Sequence, residues 1–165
     1  MSATGGSITD RMLGAAFLNV DTFEEVEHDE NATGQAAMVV AMVAVAEAIG
    51  ASGNGLFMAM GAAVSALVAW VVWAGVTYLV GTKAFEGTAT WGELLRTLGF
   101  AQAPGVLWLF GWFPLVGWIL DMILPIWIAV AAFIAIRQAL DFGNGKTFLT
   151  ILVGWGIYSA LHILF

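Results

Sequence analysis

Residues Pro104 to Leu140 run PGVLWLFGWFPLVGWILDMILPIWIAVAAFIAIRQAL, and the way this stretch divides decides the fold. Its only charged side chains are Asp121 and, near the end, Arg137. A helix rises about 1.5 Å per residue and needs about 20 apolar residues to cross the hydrocarbon layer, so the stretch is too long for one straight crossing and suits two. Charge supplies an independent test. Two crossings place Arg137 and Lys146 on the same side as Lys83 and Arg96, whereas one crossing places them on opposite sides. Cytoplasmic loops carry the excess of Lys and Arg, which selects two crossings, with Pro114, Gly117 and Asp121 supplying the turn between them.

Three further apolar runs flank this one, at 34–52, 56–80 and 147–165. The expected architecture is therefore an all-α polytopic membrane helix bundle with five transmembrane helices at 34–52, 56–80, 104–120, 122–140 and 147–165. Residues 1–33 form an acidic amphipathic cytoplasmic segment ahead of this membrane domain. Five crossings leave Arg11, Lys83, Arg96, Arg137 and Lys146 all on one face, with the amino terminus in the cytoplasm and the carboxyl terminus outside. Composition agrees: 61% of residues are hydrophobic and 10% charged, against about 25% charged in soluble domains. A net charge of −7 argues against nucleic acid. The absence of cysteine excludes disulfides and thiolate metal sites. The first 30 residues lack an apolar core, so the first span acts as its own insertion signal.

The polar connections have helical grammar. Leu13, Ala16, Phe17 and Val20 share one helical face, and Asp21 with Glu24 looks like a cap that restarts a helix carrying Phe23 and Val26. Thr90 and Glu93 form a capping box, followed by an apolar stripe of Trp91, Leu94, Leu95 and Leu98 closed by Gly99. The segments around Leu13 and Leu94 are expected to lie on the cytoplasmic membrane surface, a soluble cap on the loops being the alternative. The acidic run Glu24–Glu30 is either a solvated face or a docking surface for a basic partner. Phe23, Glu24, Glu27, Trp91 and Arg96 are the candidate cytoplasmic interaction surface. Arg137 and Asp141, four apart, are expected to pair at the inner end of the fourth span.

No phosphate loop, nucleophile elbow or zinc spacing is present, so no catalytic, cofactor or metal residues are assigned and an enzyme is the least favoured class. The interior candidates are Glu47, Asp121 and His162: helix rise places Glu47 and His162 at similar depth toward the outer side, and Asp121 lies near the expected outer turn. Intramembrane ionisable groups are costly and usually partnered, so these three form a candidate polar cluster for a cation or proton. The tryptophans suggest aromatic belts. The four-residue spacing of Ala37/Ala41, Ala44/Ala48, Gly61/Ser65/Ala69 and Gly156/Ala160 suggests close helix packing, within the bundle or in a homo-oligomer.

The chain resembles the Yip family of Ypt/Rab-interacting membrane proteins, in its bacterial branch. The likeness rests on Thr22-Phe23-Glu24-Glu25-Val26-Glu27 leading to Ala32-Thr33-Gly34-Gln35-Ala36, then Leu94 to Pro104, then Ile136-Arg137-Gln138-Ala139-Leu140-Asp141. It covers most of the chain from about residue 7. In eukaryotes the family is implicated in vesicle trafficking and in binding prenylated Rab GTPases. The cytosolic Asp-Leu-Tyr-Gly-Pro type of motif of those members is missing, so no Rab-binding residues carry over. The resemblance implies a fold, a topology and the bacterial inner membrane. The resulting expectation is a non-enzymatic membrane protein that organises the bilayer or scaffolds other membrane proteins. The rivals are an accessory subunit of a larger membrane complex, and a small cation or proton conductor using Glu47 and His162.

Overall fold

The computed structural model describes residues 6–51 and 56–164, leaving the side chains at 56–59, 158 and 161–164 outside that description. All regular structure among the described residues is helical. Helix α1 spans Ile8–Ala16 and α2 spans Val20–His28. The first is capped by Ser7, whose side chain accepts from the Asp10 N–H, and the second by Asn19, which accepts from the Asp21 N–H. The expected Asp21 cap is thus displaced. Leu18 takes a left-handed conformation (φ 60) that ends α1, and the chain re-enters a helix at once with Asn19 as its first available oxygen.

Helix α3 covers Ala32–Gly50, and α4 covers Leu56–Leu79 with a π-helical extension over Val80–Ala84. Helix α5, Trp91–Phe100, opens with the capping box of Thr90 and Glu93. A 3-10 helix over Ala103–Phe110 continues from it, and α6 (Pro114–Ala139) and α7 (Asn144–Leu164) complete the chain. Three helical segments among the described residues are long and apolar enough to cross a membrane: Ala32–Gly50, Met60–Ala84 and Pro114–Ala139.

Pro104–Leu140 does not divide at 121. Residues Pro114–Ala139 form one helix, and the turn lies earlier, at Gly111–Phe113. Pro114 sits in the first turn of α6, where its missing N–H costs nothing. Gly117 faces the Gly111 carbonyl, which a Cβ would strike, so this glycine lets the incoming loop press against α6.

Nor does α5 lie on a surface. Leu94, Leu98 and Phe100 are buried, and the helix packs against α2, α3, α4 and α6. A Cβ on Gly99 would stand 2.7 Å from the Ala36 Cβ, so this glycine sets the close approach of α5 to α3. The Trp70 indole donates to the Leu95 carbonyl at 3.0 Å and pins α4 to the same helix. Of the predicted small residues, Gly61 and Gly156 have open space around them within the chain, whereas Ala44 is buried.

All five basic residues gather at one end of the bundle. Arg11 reaches Gln35 at the start of α3, Gln138 at the end of α6 reaches Glu24, and Lys146 at the start of α7 donates to the Phe85 carbonyl. The opposite end holds Gly50, Gly111 and the start of α6. Between the ends, apolar side chains such as Val64, Val68, Ile123 and Ile126 face outward, as lipid-facing stripes do. Trp112 and Trp118 are exposed near the Gly111 end, where an aromatic belt belongs.

Candidate functional site

Two regions concentrate polar chemistry. The first is a cap at the basic end, made by α1 and α2. Its centre is Arg11, 1% exposed. The guanidinium donates from Nε and a terminal nitrogen to Glu25 (3.2 and 2.7 Å), to Asp29 Oδ2 (2.6 Å) and to Gln35 Oε1 (2.8 Å). One side chain thus ties α1 to α2 and to the first turn of α3. With Arg11 turned inward, Leu13 (53% exposed) and Phe17 (77% exposed) turn outward. Ion-pairing geometry decides the rotation of α1, and its apolar stripe faces outward beside the bundle.

Arg96 works in the same way on the other side of α2. Its Nε donates to the carbonyls of Val26 (2.9 Å) and Glu27 (3.1 Å), and a terminal nitrogen also donates to Glu27. These lie in the last turn of α2, where carbonyls have no helical partner and the dipole is negative. A buried cation from α5 therefore caps α2 and anchors it to the bundle.

These contacts shift the titration of the cap. Burial opposes the charge of Arg11, but its hydrogen bonds to Glu25 and Asp29 hold the guanidinium above its ordinary value. The hydrogen bond from Arg11 holds the Asp29 carboxyl below its usual range. Burial pushes Glu27 up. His28 is raised because Nδ1 donates to the Glu24 carbonyl at 2.8 Å, with the nearby Glu27 charge adding to it.

The cap redistributes the predicted interaction residues. Phe23 and Arg96 are buried, serving core packing and helix capping, so neither is part of an exposed surface. Glu27 is half-buried, while Glu24 and Trp91 are exposed. Within the acidic run, Glu25 and Asp29 are engaged by Arg11 and Glu24 accepts from the Gln138 amide at 2.9 Å. The Arg137–Asp141 pair does not form. Asp141 falls past the end of α6 in a left-handed conformation (φ 54) and accepts from the Thr88 hydroxyl, while Arg137 donates to Gln138 and Asn144.

The second region lies at the opposite end. Glu47 and Asp121 line one cavity of about 170 Å³, together with Trp108 and Gly111. The Trp108 indole donates to Asp121 Oδ1 at 3.3 Å. Glu47 and Trp108 also line a larger chamber of about 360 Å³ between α3, α4, α5 and α6. The structure brings Glu47 and Asp121 together; the side chain of His162 lies outside the described residues. No group of three or more His, Cys, Asp or Glu among the described residues is placed to hold a metal.

This arrangement, a membrane bundle with a polar amino-terminal cap tied to α5, coincides with a family match: residues 15–165 fit the model of the Yip1 domain. The chain belongs to the Yip1 family. No curated protein and no solved structure matches it. Yip1 is a non-catalytic family of membrane proteins, and its members often interact with other proteins. For this Yip1-family protein, sequence reasoning missed Arg11, Gln35 and Trp108. Their partners are distant in sequence, so periodicity carries no signal for them.

Proposed function

We propose that this Yip1-family protein is a non-enzymatic, five-crossing protein of the cytoplasmic (inner) membrane that scaffolds partner proteins through its basic-end cap. Support for five crossings comes from the path between Trp91 and Phe110. Its ten α-helical and eight 3-10 residues run from the basic end to the Gly111 end. At 1.5 and 2.0 Å per residue they rise about 31 Å together, close to the hydrocarbon thickness of about 30 Å. Helix α7, 21 residues long, supplies the fifth. The positive-inside bias then puts the cap in the cytoplasm.

The observation that carries the scaffolding role is the pair of buried arginines. Arg11 and Arg96 fasten α2 to the membrane bundle at both of its sides. Asp21, Glu24, His28 and Glu30 are left exposed on this fixed helix and the turn after it. A surface held in place before binding avoids the ordering cost of a free segment. Its charge suits a basic partner segment.

A photo-crosslinking residue at Glu24, followed by gentle extraction, tests this reading. The expected product is a defined heterologous species of fixed stoichiometry, lost at high salt and in the variant carrying Asp21→Asn, Glu24→Gln and Glu30→Gln. Crosslinks to lipid alone, or a product insensitive to those changes, would overturn it.

A further inference from the structure

We infer that α1 dips into the bilayer leaflet at the basic end of the bundle, alongside α6, and that lipid acyl chains cover its exposed stripe of Leu13 and Phe17. The inference concerns α1 and needs only that α3 and α6 cross the membrane, so it stands or falls apart from the partner surface on α2.

Depth is the first argument. Trp127 stands midway along α6, a helix long and apolar enough to cross the bilayer. At about 1.5 Å per residue it lies about 18 Å from Ala139, more than half of a hydrocarbon layer of about 30 Å. Its indole donates to the Ala16 carbonyl at 2.7 Å, which brings the carboxyl end of α1 to that level. A second contact agrees. Helix α1 packs on the 3-10 segment, and Gly105 of that segment sits against Val43, well inside α3. The middle of α1 is shallower, because Arg11 reaches Gln35 in the first turn of α3. Helix α1 therefore descends toward its carboxyl end. The left-handed turn at Leu18 then sends α2 back toward the basic end, where Glu24 meets Gln138.

Chemistry is the second argument. Along α1 the exposed side chains change from polar to apolar with depth: Ser7, Thr9 and Asp10 come first, then Leu13 and Phe17. Leu13, Ala16 and Phe17 line a pocket of about 310 Å³ with Pro104, Leu107 and Trp127. The indole N–H there is already engaged by Ala16, and the one other polar side chain, Thr9, belongs to the shallow end. Such walls lack the two to four polar partners that ordered water needs. Ile123 and Val130, four residues before Trp127 and three after it, share its face of α6 and are exposed. The stripe on α1 is thus continuous with the lipid-facing surface of a membrane-spanning helix, and hydrocarbon is what covers it.

The test uses the full chain as the single variants Leu13→Cys, Phe17→Cys, Glu30→Cys and Ile126→Cys, spin-labelled in phospholipid nanodiscs. All four positions are exposed, so the labels leave internal packing intact. Collisions with oxygen, which concentrates in hydrocarbon, are compared with collisions with a water-soluble nickel chelate. Labels at Leu13 and Phe17 should favour oxygen as the label at Ile126 does, with Phe17 reporting the greater depth, while the label at Glu30 favours nickel. A nickel preference at Phe17 equal to that at Glu30 would place α1 in water, and shielding of Phe17 from both reagents would mean that protein covers it. Either result would overturn the inference.

Discussion

Replacing Arg96 by Ala should free the carboxyl end of α2 while leaving the membrane helices in place. The side chain is 6% exposed, and its guanidinium serves the carbonyls of both Val26 and Glu27. Hydrogen bonds from a charged donor contribute about 1.5–3 kcal/mol each, so losing both acceptors' partner costs about 3–6 kcal/mol. Water entering the vacated space recovers part of this, which favours the lower figure. At about 1.4 kcal/mol per factor of ten, opening of α2 should become at least about 100-fold more frequent. Hydrogen exchange on the protein in nanodiscs measures it: amides of Phe23–His28 should exchange faster by that factor, with those in the middle of α6 unchanged. Arg96→Lys, a point charge able to serve one carbonyl well, should fall between. Unaltered exchange in α2, or equal acceleration throughout the bundle, would refute the reasoning.

Two further outcomes follow from the same geometry. Asp29 is held below its ordinary value of 3.8, so its contribution is complete above that pH and fades as pH falls through the depressed value. Glu27 and His28 are raised above 4.5 and 6.5, so their contributions are complete below those values and fade as pH rises through the raised ones. Attachment of α2 should thus be tightest between 3.8 and 4.5 and weaken in both directions, read as α2 exchange corrected for intrinsic rates; Arg11→Met should remove the acid limb and His28→Gln the upper step. Gly99→Ala should cost about 1–3 kcal/mol in unfolding experiments by forcing α5 away from Ala36, whereas Gly61→Ala, with open space around it, should be neutral or stabilising by up to about 1 kcal/mol.

The all-α class, the extents of α3 and α4, and the Thr90–Glu93 capping box were legible because apolar run length and local capping are properties of neighbouring residues. The division of Pro104–Leu140 was not. Pro and Gly signal breaks, yet Pro114 begins a helix and Gly117 accommodates a loop, and only the position of Gly111 in space distinguishes these roles. Helix α5 looked superficial because ten residues cannot cross a membrane alone, and nothing in its periodicity announces the 3-10 continuation. At the cap, the stripe through Leu13 and Phe17 was visible but not its direction, since Arg11 is turned inward by acceptors 14, 18 and 24 residues away. Counting residues places Glu47 toward the outer side, whereas Asp121 was assigned there by a turn that lies earlier; it sits inside α6, and Trp108 reaches it across the Gly111–Phe113 turn.

The crossing proposed for Trp91–Phe110 underlies the proposed orientation of both the cap and the Glu47–Asp121 cavity. The chain has no cysteine, so single-cysteine variants need no background removal. Glu86→Cys and Trp112→Cys, both at exposed positions flanking that segment, should react with a membrane-impermeant maleimide from opposite faces of sealed vesicles. Labelling of both from the same face would contradict it.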